Sequence, residues 1–170
     1  MWTIIKTAFH KLGSPPTFYW LAGRLIPWLA LATAASMAWG LYGGLVLAPA
    51  DYQQGEGFRI IYVHVPSAWL SLFVYVTMAV AGVVALVWRM KLAEVWITSS
   101  APLGASFTFL ALATGSLWGK PMWGTYWVWD ARLTSELVLL FLYLGVIALN
   151  AAIEDRRSAA RACALLAIVG

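Results

Sequence analysis

The stretch Ile60–Trp88, IIYVHVPSAWLSLFVYVTMAVAGVVALVW, runs for 29 residues without one charged side chain. The hydrocarbon core of a bilayer is about 30 Å thick and takes about 20 apolar helical residues to cross. This stretch therefore reads as a membrane span. Leu25–Ala50 and Val95–Gly119 are uncharged runs of more than that length. A fourth run, Leu137–Ile153, has seventeen residues. It reaches spanning length when its helix starts near Ala131, with Arg132 and Glu136 in its first turns at the interface.

Composition agrees. The 170 residues are 62% hydrophobic and 11% charged, with a mean hydropathy of +0.80, against roughly 45–50% apolar and 25% charged in soluble domains. The predicted fold class is an all-α integral membrane protein, a polytopic helix bundle with four complete transmembrane helices and the start of a fifth. After Glu154-Asp-Arg-Arg157 and Arg161 the chain turns apolar again from Ala162 to Gly170, nine residues that are too few to cross. The chain is thus expected to be a piece of a longer protein or a truncated product. Its organisation reads as a cytoplasmic interfacial segment at 1–24, a membrane domain at 25–153, and a cytoplasmic loop with the start of the fifth helix at 154–170.

Within the first segment Trp2, Ile5, Phe9 and Leu12 follow helical spacing, with Lys6, His10 and Lys11 on other faces, as in a helix lying on a membrane surface. Gly13-Ser-Pro-Pro16 ends that helix, and Phe18, Tyr19 and Trp20 read as interfacial anchors. In span 1, Ala32, Ser36, Gly40 and Gly44 recur every four residues, a stripe that lets another helix approach closely. Ser100, Gly104 and Thr108 form a similar row in span 3. The one cysteine, Cys163, reads as a buried structural thiol.

Lys and Arg counts orient the chain. The amino-terminal segment, the loop after span 2 and the loop after span 4 carry eight, while the other side has Arg59, Lys120 and Arg132. The amino terminus is therefore predicted in the cytoplasm and the net charge of +4 follows topology, with no nucleic-acid partner implied.

This orientation puts three features on the outer face. One is Trp118-Gly-Lys-Pro-Met-Trp-Gly-Thr-Tyr-Trp-Val-Trp-Asp130, which places four of the eleven tryptophans within twelve residues. Tryptophan is enriched at interfaces because its ring is amphipathic, but this density exceeds anchoring. Gly119-Lys-Pro121 is predicted to turn out of span 3, with Pro121 opening a short interfacial helix. In a helix Trp123 and Trp127 share a face; in an extended segment Trp127 and Trp129 do. The second feature is His64, placed just above span 2 if Pro66 occupies the first helical turn. The third is Asp130, positioned to cap span 4, with Arg132 and Glu136 spaced to pair.

A flat aromatic platform, one imidazole and nearby cations suit haem, whose iron takes an axial imidazole and whose propionates seek Lys or Arg. Lys120, Arg132 and Arg59 are the candidate cations. No nucleophile–base constellation, zinc-ligand spacing or phosphate loop is present, so a binding and transfer module is expected and not an enzyme. Two other readings are a b-type electron-transfer protein, which would pair histidines within the bundle, and an anchoring subunit of a membrane transporter. The only two histidines, His10 and His64, fall on opposite sides, which weakens the b-type reading. No polar pathway of haem size crosses these spans, so haem is expected to arrive at the outer face or laterally from membrane lipid.

Trp123-Gly-Thr-Tyr-Trp-Val-Trp-Asp130 also matches the WGxxWxWD signature of the haem-handling proteins of cytochrome c biogenesis. Trp118-Gly119 and Val63-His-Val-Pro-Ser-Ala-Trp69 fit as well. From about Leu25 onward the chain most resembles the CcmC family, the haem exporter protein C of the cytochrome c maturation system. The resemblance implies a bacterial-type inner-membrane protein that presents haem b at its outer face and passes it to the haem chaperone CcmE. It implies CcmA and CcmB, the ABC-type subunits, and the small protein CcmD as partners. It implies a haem site of Trp118, Trp123, Gly124, Trp127, Trp129 and Asp130, with His64 as an axial ligand. A second outward-facing histidine is implied in the loop after span 5, beyond residue 170.

Overall fold

The computed structural model describes residues 14–170. The surface helix expected over Trp2 to Leu12, and His10 with it, lies outside them. The chain forms α1 (Pro15–Tyr42), a π-helical turn (Gly43–Leu47), a 3₁₀ turn (Glu56–Ile60), α2 (Ile61–Trp88), α3 (Lys91–Trp123), α4 (Ala131–Ala152) and α5 (Arg156–Val169). Four of these helical segments are long and apolar enough to cross a membrane, while α5 has 14 residues. The architecture is that of an all-α, multi-pass membrane protein.

Helix α1 starts earlier than its uncharged run. Ser14 is extended and Pro15 and Pro16 occupy the first helical positions, where a missing N–H costs nothing. Phe18, Tyr19 and Trp20 are consequently part of α1. None of the residues of α1 is buried, so Ala32, Ser36 and Gly40 of the small-residue stripe stay uncovered by the described residues. Only Gly44, in the π turn, is packed, under the ring of Tyr62.

The core lies in α2–α5. Helices α2 and α3 are antiparallel partners joined through Arg89 and Met90. Met78, Ile97, Ala101, Tyr143, Val146 and Cys163 are fully buried. Lipid tails are as apolar as leucine, so close packing and interhelical hydrogen bonds hold such helices together. Gly104 leaves room for the ring of Tyr143, whose hydroxyl donates to the Ser71 carbonyl at 2.6 Å. Tyr75 meets that ring edge-on at 5.3 Å and donates to the Leu166 carbonyl of α5 at 3.1 Å. Gly82 brings α2 against α5, where an added Cβ would lie 2.9 Å from the Ala164 carbonyl oxygen. Cys163 sits in this seam, its thiol 3.5 Å from the Val146 carbonyl oxygen that accepts from it.

Two expectations change. Helix α3 does not turn at Gly119-Lys-Pro121. It continues to Trp123 and ends at Gly124, whose φ of 76° suits the left-handed glycine terminator. Pro121 removes one N–H from the last turn, and the Gly124 N–H closes on the Lys120 carbonyl at 3.0 Å. At the other junction the 3₁₀ turn runs straight into α2 at Ile61. His64 is therefore inside the helix, and Pro66 lies beyond its first turn.

Gly104→Ala places a methyl inside the space of the Tyr143 ring and is expected to cost about 1–3 kcal/mol. Gly40→Ala, with nothing within 4 Å of the new Cβ, is expected to be neutral. Paired thermal unfolding of the two variants in one detergent checks the contrast.

Candidate functional site

His64 is half-buried where α2 meets α3. Its Nδ1 lies 3.1 Å from the Ala111 carbonyl oxygen and 3.1 Å from Thr114 Oγ1. A carbonyl oxygen only accepts, so Nδ1 carries the proton. The Thr114 hydroxyl itself donates to the Leu110 carbonyl at 2.6 Å, leaving its oxygen as a second acceptor. The neutral ring thus keeps its lone pair on Nε2, the arrangement in which metal-binding histidines are held by a partner on the other nitrogen. Gly115 provides the clearance: a Cβ there would lie 3.0 Å from His64 Cε1.

Trp118, one turn after Thr114, meets the His64 ring edge-on with centroids 5.8 Å apart. Its indole N–H donates to Gln54 Oε1 at 2.9 Å, tying the end of α3 to the loop before α2. Beyond Gly124 the chain has no regular structure at Trp127–Asp130. Trp127 and Trp129 pack edge-to-face on each other, 5.3 Å between centroids, as the extended alternative predicts. The Trp127 indole N–H is buried without an acceptor among the described residues.

Asp130 caps α4, its Oδ1 accepting from the Leu133 N–H at 2.9 Å. The predicted Arg132–Glu136 pair does not form. Arg132 instead grips Asp130 Oδ2 through Nη2 at 2.7 Å and Nε at 3.0 Å, and lies 5.4 Å from the Trp123 ring centre. Glu136 shares the inner face of α4 with Leu139, Tyr143 and Val146, and its Oε1 accepts from the Ser71 hydroxyl at 2.8 Å. That inward face is why it turns from Arg132.

The three candidate cations separate. Arg59 is committed to Glu56 and to the Leu45 carbonyl at 3.0 Å. Lys120 donates to the Gly124 carbonyl at 3.1 Å and lies 5.1 Å from the Tyr126 ring centre. Arg132 alone lines a cavity of about 280 Å³ together with His64, Trp118, Trp123, Asp130 and Glu136. Gly124, Trp127 and Trp129 are outside that cavity. A second, apolar hollow of about 350 Å³ runs down α2 past Val65, Trp69, Leu72 and Phe73, and shares His64 and Ala68 with the first. Imidazole, indole and guanidinium thus meet at one end of the bundle, beside an open apolar groove along α2.

Among the described residues no three His, Cys, Asp or Glu side chains converge, so a bare ion has no cage here. A macrocycle that brings its own ring nitrogens needs only the imidazole. Sequence reasoning missed Thr114, Gly115 and Gln54, whose roles depend on contacts far along the chain. Glu136 carried a usable signal, being an ionisable group on the periodic apolar face of a span.

Fold and cavity together define a multi-pass membrane protein with a candidate ligand site at one end of its bundle. The chain belongs to the CcmC family, described as Heme exporter protein C, which it matches over residues 8–170. It is 58% identical over 161 residues to the Heme exporter protein C of Escherichia coli K12, covering 95% of this chain and 66% of that one. The Bradyrhizobium diazoefficiens protein of the same name is 56% identical over 159 residues, 94% of this chain and 60% of its own length. A ccmC-like mitochondrial protein of Marchantia polymorpha, named for cytochrome c biosynthesis, is 53% identical over 110 residues, 65% of this chain and 48% of its own length. The chain therefore spans about two thirds or less of the curated relatives it matches.

The Leu133 N–H and then Arg132 hold the Asp130 carboxyl below the usual range. A depressed folded-state value stabilises the fold above the ordinary carboxylate range and ceases to do so as pH falls through it. Thermal unfolding followed from neutral pH down to about pH 3 is expected to show this loss, and Asp130→Asn, which keeps an N-cap acceptor, is expected to reduce the pH dependence.

Proposed function

We propose that this chain handles haem b for c-type cytochrome biogenesis, receiving it at the outer face of the inner membrane and passing it to the chaperone CcmE. The observation that carries the reading is the His64 hydrogen bond: Nδ1 is held by Ala111 and Thr114, which frees Nε2 beside Trp118, Trp123 and Arg132. His64 is an axial ligand to the iron. The site consists of His64, Trp118, Trp123, Gly124, Trp127, Trp129 and Asp130. Arg132, which lines the cavity, is available to a propionate, whereas the Trp127 indole N–H, buried and unpartnered among the described residues, meets a polar group of the cargo only if its ring turns. Asp130 holds that guanidinium in place while starting α4.

The chain binds and transfers and is not an enzyme. Its amino terminus is cytoplasmic and its haem site periplasmic, on the charge asymmetry of the loops. CcmA, CcmB and CcmD are its partners in the family's system. The apolar hollow that adjoins His64 supports lateral arrival of haem from the lipid.

Absorption spectra of the purified protein test the ligation. His64→Ala is expected to abolish or shift the haem band, and Trp127→Ala with Trp129→Ala to lower occupancy. Retention indifferent to all three substitutions would sink the reading. Thr114→Val removes one of two supports of the ring, so its effect is expected near the lower end of the roughly 10- to 100-fold loss typical of such partners.

Ala68 lines both hollows. Ala68→Phe is expected to slow haem loading from liposomes severalfold while leaving the spectrum of already bound haem unchanged. Unaltered loading would exclude that route.

A further inference from the structure

At the opposite end of the bundle, a cavity of about 550 Å³ opens between α2, α3 and α5. Arg89, Lys91, Arg156, Arg157 and Arg161 line it, with Glu94 as the single carboxylate. Five cations against one anion leave four net positive charges around this space. None of the five side chains makes a hydrogen bond or an ion pair among the described residues; the two ion pairs there are Arg59–Glu56 and Arg132–Asp130. The nearby Asp155 is committed to the Ser158 N–H at 2.8 Å as the cap of α5, although its charge is felt by Arg157. Like charges gathered in this way repel one another and favour an anion between them.

The depth of the cavity says which anion. Arg89 follows His64 by 25 residues on α2, about 37 Å at the helical rise, somewhat more than the hydrocarbon thickness of about 30 Å. With His64 near one interface, the cations lie at the headgroup level of the other. Ala85 and Leu86, a turn deeper along α2 than Arg89, form the apolar part together with Ala160, which stands between Arg157 and Arg161 in the first turns of α5. Arg89 is also the only described non-glycine residue with a left-handed backbone, at φ 53°, a terminator position that favours glycine.

We propose that this cavity binds the phosphate headgroup of an anionic phospholipid in the cytoplasmic leaflet, with the start of its acyl chains on the apolar part. Basic pockets between membrane helices at this depth are suited to such headgroups. A polyanion without apolar groups would gain nothing from the apolar part.

The test uses the full chain in nanodiscs of phosphatidylcholine, with or without phosphatidylglycerol or cardiolipin, reading thermal unfolding and bound lipid by native mass spectrometry. Anionic lipid is expected to raise the unfolding temperature and to be retained. Combined Arg156→Gln, Arg157→Gln and Arg161→Gln substitutions are expected to weaken retention on the order of 100-fold. Arg89→Gly, which keeps the left-handed turn, is expected to lower retention without lowering stability in phosphatidylcholine alone. Equal retention by the triple variant, or no preference for anionic lipid, overturns the proposal. Stabilisation in phosphatidylcholine by inorganic phosphate or by polyglutamate, with none from anionic lipid, also overturns it and assigns the cavity to a free phosphate or an acidic protein segment.

Discussion

The hydroxyl of Tyr143 donating to the Ser71 carbonyl, with its ring seated over Gly104, joins α2, α3 and α4 at one point. In a medium without water a backbone carbonyl near the packed seam has few partners to choose from. A phenol that reaches only one of them sets the register of three helices together. From that register the His64 end of the bundle follows. The same Ser71, through its hydroxyl, binds Glu136 two turns before Tyr143 on α4; farther along, His64 comes level with Ala111 and Thr114. A slip of one residue between α2 and α3 would rotate the imidazole off its acceptors and leave Nδ1 unpaired.

The end of the bundle that carries His64 is assembled largely from solutions to helix-end problems. Arg59 donates to carbonyls of the π turn that ends the first span, Gly124 releases the chain from α3, and Asp130 starts α4. Between the last two lie only the residues of the tryptophan segment, so its path is constrained at both ends by capping. Trp118 and Trp123 are the exceptions, as parts of α3 itself, and the bond of Trp118 to Gln54 couples that helix to the preceding loop. Aromatic rings fixed in this way present a preorganised surface and lose little freedom when something binds.

Much of this was legible in the residues and some was not, along a clear line. The spans were legible because an uncharged run of more than 20 residues has few other uses. The Asp130 cap was legible because both partners lie within three residues. The continuation of α3 through Pro121 was not, since one lost N–H in a final turn is tolerated when a glycine terminator follows. Arg132 had two carboxylates within reach, and the choice was made by Ser71, 65 residues away from Glu136. The acceptors of His64, about 50 residues along the chain, depend on the α2–α3 register. Local chemistry could be read; partners chosen by packing could not.

Helix α3 has 33 residues, which at the helical rise makes it about 50 Å long, whereas the hydrocarbon it crosses is about 30 Å thick. Counted from Lys91, that thickness is used up near Ala111, the residue whose carbonyl holds His64. On that count the cavity straddles a dielectric boundary, with the adjoining apolar groove on the oily side and its guanidinium and carboxylate on the wet side. Hydrophobic mismatch then becomes a control on the site. A thicker bilayer would draw the imidazole into hydrocarbon and a thinner one would leave it in water, so the membrane's own thickness would help to set how strongly the proposed site holds a cargo that is apolar at one edge and charged at the other.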